Sequence, residues 1–231
     1  TPAGWTQLYS TAQGTTCRGS CYYKLADGTE DGTTVDFVTS ASEQGAAQVY
    51  RITGWSPTTG GPSIGTATTN TNTGVSTTDA PDVSGVWTAV DTLFITALHN
   101  SSGGSITSAP TNYGNLTETN EAGGTTTGGV FTARRELTAN SDTPGNWTMS
   151  TTGIATVCNT IMLAPAVTFP TIADVTTFTG VTGTGNHNVD MPATVNAGDN
   201  LATAPKPTTA AVLPIAISAP VAPSPSARPG L

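Results

Sequence analysis

Charge is what this sequence has least of. Only 10% of its 231 residues are Asp, Glu, Lys or Arg, against about a quarter in an ordinary soluble domain. Seven residues are basic and fifteen acidic, for a formal charge of −8. With no basic stripe to neutralise phosphates, a nucleic-acid partner is disfavoured. Long apolar runs are also missing; none approaches the ~20 residues a membrane span needs. Sustained helical periodicity is absent, and Ala41 to Gln48 is expected to hold at most one short turn. There is no initiator Met and no visible signal segment, so a processed product or a portion of a longer precursor is expected.

Residues that carry chemistry are equally sparse. His99 and His187 are the only histidines. A hydrolase needs a nucleophile, a base and an orienting acid at one pocket, and His99 has no nucleophile elbow beside it. Three cysteines, Cys17, Cys21 and Cys158, are too few for a zinc site with so little histidine. Cys17 and Cys21 bracket Arg18-Gly19-Ser20, read as a turn-like spacer, so a local disulfide is the expectation for an oxidising compartment. Cys158 lies in an apolar run and reads as a small buried side chain. Asp27, Glu30 and Asp31 crowd one turn where oxygen ligands would suit calcium. The full calcium-loop pattern is missing, and Asp-Gly is a common hairpin turn. No cofactor is expected.

What is abundant is threonine, roughly one residue in five, with 26 Gly and 16 Pro. Threonine suits pleated, half-buried surfaces, and Gly and Pro punctuate turns. Strand-like runs recur at sandwich spacing: Trp5 to Ser10, Cys21 to Ala26, Val35 to Thr39, Ala47 to Thr53, Leu93 to Leu98, Phe131 to Leu137, Trp147 to Ser150 and Ile154 to Leu163. Leu93, Ile95, Val157 and Ile161 are expected to point inward. Ser56 to Asp82 reads as a long surface excursion. After Pro165 the texture changes to Thr/Pro-rich segments. These carry strand-like runs at Val167 to Val181, Asn186 to Pro192 and Ala210 to Ile217. Pro214 restricts the last of these to an edge or an irregular ladder. The expected fold is all-β: a jelly-roll-like antiparallel β-sandwich over 1–165 and an extended strand-donating arm over 166–231.

Several of these blocks resemble one family. Pro2-Ala3-Gly4-Trp5-Thr6-Gln7-Leu8, Tyr22-Tyr23-Lys24-Leu25-Ala26-Asp27-Gly28, Ser40-Ala41-Ser42-Glu43-Gln44, Asp91 to Ile95, Ala133 to Leu137 and Pro144 to Thr148 look like jelly-roll-type domains of phage virion and tail-associated surface proteins. The likeness covers most of residues 1–165, and its motifs are structural, so it brings no catalytic residues. In that family the Pro-Ala-Gly-Trp block follows an earlier pair of strands. Here the matching block lies at the back, in His187 to Pro192 and Asn196 to Leu201, as in a circular permutation. The tail then either folds back into its own sheet or fills the gap in the next subunit. The long Thr/Pro-rich spans provide reach and favour the neighbour, by strand addition at a sheet edge.

The function expected on this reading is structural, not enzymatic. Head-to-tail contacts between identical subunits generate open filaments, here extracellular. His187, Val189, Met191, Leu201, Val212, Leu213, Ile215 and Ile217 are the candidate inter-subunit strand residues. The alternatives are a phage virion decoration or tail protein, and a carbohydrate-binding adhesion module built on Trp5, Trp55, Trp87 and Trp147. Tryptophans at strand positions more often fill a core. Asn100, Asn115 and Asn146 fit the Asn-x-Ser/Thr acceptor pattern, so covalent glycans are expected on them or on Thr/Ser runs such as Thr203 to Thr209.

Overall fold

Runs of β-branched and aromatic residues, broken at Gly, Asn and Pro, fold as strands and nothing else among the described residues. The computed structural model describes residues 1–38, 45–55, 62–65, 67–70, 76–101, 105–120, 128–166, 171–181, 186–190 and 210–218. In chain order the strands are β1 (Thr6–Gln13), β2 (Cys17–Ala26), β3 (Thr34–Val38), β4 (Gly45–Thr53), β5 (Ser63–Ile64), β6 (Thr68–Asn70), β7 (Thr77–Ala80), β8 (Val83–Ser84) and β9 (Val90–Asn100). They continue with β10 (Ile106–Ser108), β11 (Gly114–Asn120), β12 (Gly129–Ala139), β13 (Ser141–Asp142), β14 (Gly145–Met149), β15 (Thr156–Leu163), β16 (Thr171–Val181), β17 (Asn186–Asp190) and β18 (Ala210–Ser218).

Two antiparallel sheets pack face to face. The first has the order β1-β2-β18-β4-β16, the second β11-β12-β9-β15-β5, with β6 also on β15. Tyr9, Cys21, Ala46, Tyr50 and Ile52 of the first sheet meet Leu93, Ile95, Ala97, Val130, Ile161 and Leu163 of the second. The second sheet is covered on its other face too. Phe94, Leu98, Phe131, Cys158 and Met162 pack there against Ala80 of β7 and Trp147 and Met149 of β14. Burial on both faces explains why Leu93-Phe94-Ile95 and Ile161-Met162-Leu163 run apolar without alternation: successive side chains point to opposite faces, and both are dry. A third cluster, Trp5, Phe37 and Val49, lies under β3 on the outer face of the first sheet.

The four residues expected inward are all buried; Leu93, Ile95 and Ile161 lie between the sheets and Val157 packs with Cys17 and Ala155. Two expectations are corrected. Arg18-Gly19-Ser20 is not a turn but lies inside β2, and the turn precedes it at Gly14, where φ is +55°. The excursion after Ser56 carries β5, β6 and β7, which pair with β15 and β14. Short Thr-rich pieces pair there because they edge onto strands that are already long and buried. Of the segment Ala41 to Gln48, Gly45 to Gln48 is extended, as the start of β4, and 41–44 lie outside the described residues.

The tail is placed by backbone pairing. Ala166 N donates to Gly54 O, and β16 runs antiparallel along β4. Strand β17 pairs with β3, and β18 lies between β2 and β4. In the single chain, then, all three tail strands lie against the chain's own body.

Candidate functional site

The seat of β18 is the feature with most to explain. The strand is the third of five in its sheet, yet it is supplied from the far end of the chain. Nineteen residues, 191–209, separate it from β17. Its register is continuous on β2: Ala210 opposite Ala26, Ala211 opposite Leu25, Val212 opposite Lys24 and Ile215 opposite Cys21. On β4, Leu213 is opposite Tyr50 and Ile215 opposite Gln48, and the ladder slips between Ile215 and Ser218. Pro214 stands opposite Val49 and has no N–H to give. Proline therefore occupies a central strand, where it is rarely found, and the irregular ladder expected for it appears on the β4 side. Two rows result. Ala211, Leu213 and Ile215 share rows with the buried Ile52, Tyr50 and Gln48, whereas Val212 shares its row with the half-exposed Lys24 and Arg51.

Buried polar contacts hold to the second sheet the β4 wall of the seat and, beside the β2 wall, strand β1. Gln48 is fully buried. Its Nε2 donates to Val130 O at 3.0 Å and to Thr117 O and Thr119 Oγ1 at 3.1 Å. Its Oε1 accepts from the Tyr50 hydroxyl at 2.9 Å and from Thr132 Oγ1 at 2.7 Å. Tyr50 and Thr132 are themselves in hydrogen bond. One amide thus ties β4 to β11 and β12. On the other side, the Tyr9 hydroxyl of β1 and Nε2 of His99 on β9 form a hydrogen bond of 2.9 Å. The His99 ring lies against Gly19 of β2 so closely that a β-carbon there would run into it. Burial pushes the His99 pKa down to about 3 and the Tyr9 pKa well up. His99 is a neutral core histidine.

Val212, Leu213, Ile215 and Ile217 all lie on β18. His187 and Val189 lie on β17, opposite Phe37 and Val35. Phe37, opposite His187, packs with Trp5. Met191 and Leu201 lie outside the described residues. Nothing in the sequence pattern marked Gln48, Tyr50 or Tyr9; a Gln at the centre of an apolar strand was the available signal.

The disulfide expectation is overturned. Cys17 and Cys21 lie four residues apart on one extended strand, about 13 Å at 3.3 Å per residue, whereas a bridge needs Cα atoms within ~7 Å. Both are buried thiols, as is Cys158, whose pKa burial pushes up to about 12. Asn100 is corrected as a glycan site: it is fully buried in β9 and sugar would not fit there. Asn115 and Asn146 are exposed. The acidic turn is internally satisfied. Glu30 accepts from Lys24 at 2.8 Å and from the amides of Gly28 and Asp27 at 3.0 and 3.2 Å. Burial would raise its pKa, and these donors outweigh that and hold it below the usual range. Asp27 caps Thr29. Trp5, Trp55 and Trp147 are buried, and Trp87 is half-buried against the outer core. A cleft of about 90 Å³ beside Tyr50, Asn115, Thr132 and Arg134 has room for about three waters.

No protein-family model matches this chain, and no curated protein or solved structure does.

Proposed function

We propose that this protein is the structural subunit of an extracellular homopolymer, built head to tail by passing the strand Ala210–Ser218 into the seat between β2 and β4 of the next copy. The observation that carries this reading is a central strand supplied from a distant part of the chain. Every register partner of β18 belongs to β2 or β4. A second copy offers the same partners, so an identical ladder is available between chains. The connector 191–209 extends to about 60 Å at full stretch. Its two ends are anchored opposite Thr34 and Ala26, which a turn of only seven residues joins. The connector is much longer than closure within one chain requires. A chain poor in charge and rich in Thr, with His99 locked in the core, suits an assembling structural subunit better than a catalyst.

The test uses the full chain with Arg51→Cys in one preparation and Val212→Cys in another. These positions face each other across the β4–β18 ladder, within the Cα spacing a disulfide accepts. On mixing and mild oxidation, cross-linked heterodimers are expected on a non-reducing gel. A chain carrying both cysteines is expected to give a ladder of covalent oligomers. An intramolecular link alone, with the double variant running as a monomer, sinks the proposal.

A further inference from the structure

The contacts that anchor the walls and the contacts that hold β18 belong to different sets. Gln48 and Tyr50 fasten β4 to Thr117, Thr119, Val130 and Thr132. The Tyr9 hydroxyl fastens β1 to His99, whose ring lies against Gly19 of β2. None of these bonds involves a residue of β18. The ladder of β18 on β4 is irregular, with Pro214 lacking a donor and a register slip beyond Ile215. Losing that strand breaks its rungs to β2 and β4 and leaves both walls tied to the second sheet.

We infer that the seat between β2 and β4 is a preformed receptor that opens by release of β18 alone, and that Gln48 is the positioning residue that keeps its β4 wall in place. The ligand it fits is one extended apolar strand, with Leu213 and Ile215 in the rows of Tyr50 and Gln48. The identity of that ligand as a second copy's Ala210–Ser218 rests on the strand-donation reading; the receptor itself does not. The geometry also supplies a natural reporter. Cys21 lies in the seat, opposite Ile215, whereas Cys158 lies on β15, in the outer core of the second sheet. With β18 in place Cys21 is fully buried and burial pushes its thiol pKa well up, so it resists alkylation.

The experiment is alkylation of the intact full chain by a maleimide under native conditions, read by peptide mass. Cys21 is expected to react at least tenfold faster than Cys158. An excess of the free peptide spanning residues 208–220 is expected to slow Cys21 and leave Cys158 unchanged. In the Gln48→Met chain, still folded by circular dichroism, the two rates are expected to converge, because the wall leaves with the strand. A single common rate in the native chain would mean that opening is global, and overturns the receptor. Faster Cys21 without any effect of the peptide overturns it as well. Persistent separation in Gln48→Met removes Gln48 from its assigned role. Separated, peptide-sensitive rates together with no intermolecular disulfide in the cross-linking test leave the receptor standing and strike down only the polymer.

Discussion

At Gly19 the backbone of β2 passes directly over the His99 ring, and a side chain of any size must displace one of them. Gly19→Ala is therefore expected to lower unfolding free energy by roughly 1–3 kcal/mol, the usual cost of overpacking a core, measured by urea denaturation. His99 adds a pH dependence. Its folded pKa is about 3 against an ordinary 6.5. Stability from this residue is fully present above pH 6.5, where both states are neutral. As pH falls from 6.5 towards 3, the unfolded chain takes up a proton that the folded chain refuses, and stability falls. The slope approaches about 1.4 kcal/mol per pH unit once the unfolded histidine is mostly charged. In the window from pH 6.5 to 5 Asp27 and Glu30, whose pKa values are both lowered, stay ionised in the folded chain, and the His99 variant separates its contribution from that of His187. His99→Gln is expected to flatten the profile in that window; an unchanged slope would show that another group titrates. Gln48→Leu strands the Val130 and Thr117 carbonyls in the core, a cost on the order of 1–3 kcal/mol per unmet group.

Among the elements, β9 and β15 were legible because their residues need no context: long apolar runs buried on both faces admit few alternatives. Strands β5 to β8 were not. They are two to four residues long, rich in Thr and Ser, and take their pairing from partners distant in sequence: β15, β14 and β13. The spacer in Cys17 to Cys21 was misread for a related reason. Glycine there signals close approach to His99, a partner 80 positions away, which local pattern does not reveal. The tail strands were legible as strands, but sequence does not say which edge takes them, and the core network of Gln48 hides in an otherwise apolar alternation. For β18 the two rows make opposite forecasts. Ile215→Asp places a carboxylate in the row of the buried Cys21 and Gln48, and is expected to eject the strand, seen as rapid alkylation of Cys21. Val212→Asp places one between Lys24 and Arg51, where opposite charges across strands contribute roughly 0.2–1 kcal/mol; it is expected to leave that rate unchanged or slower. Equal effects of the two substitutions would mean that the register is wrong.

For the whole molecule, the proposal assigns each copy one donor and one acceptor, and this polarity has a consequence that no symmetric association shares. A full chain bearing Ile215→Asp keeps the β2 and β4 walls and loses a usable strand. It can receive a neighbour's strand and pass nothing on, so it ends a growing polymer. Alone it is expected to stay unpolymerised. Added at one part in ten to wild type, it is expected to cut the mean polymer to about ten subunits, read by light scattering or by contour length in electron micrographs, with one variant chain per filament by mass. A symmetric or edge-to-edge association would instead incorporate the variant along the length or ignore it. Termination also reads differently from simple destabilisation: it scales with the ratio of variant to wild type and not with total concentration, because each closed junction buries a whole strand and dissociates slowly. Polymer length that is indifferent to that ratio would return β18 to its own body and assign the polymer to a contact other than strand donation.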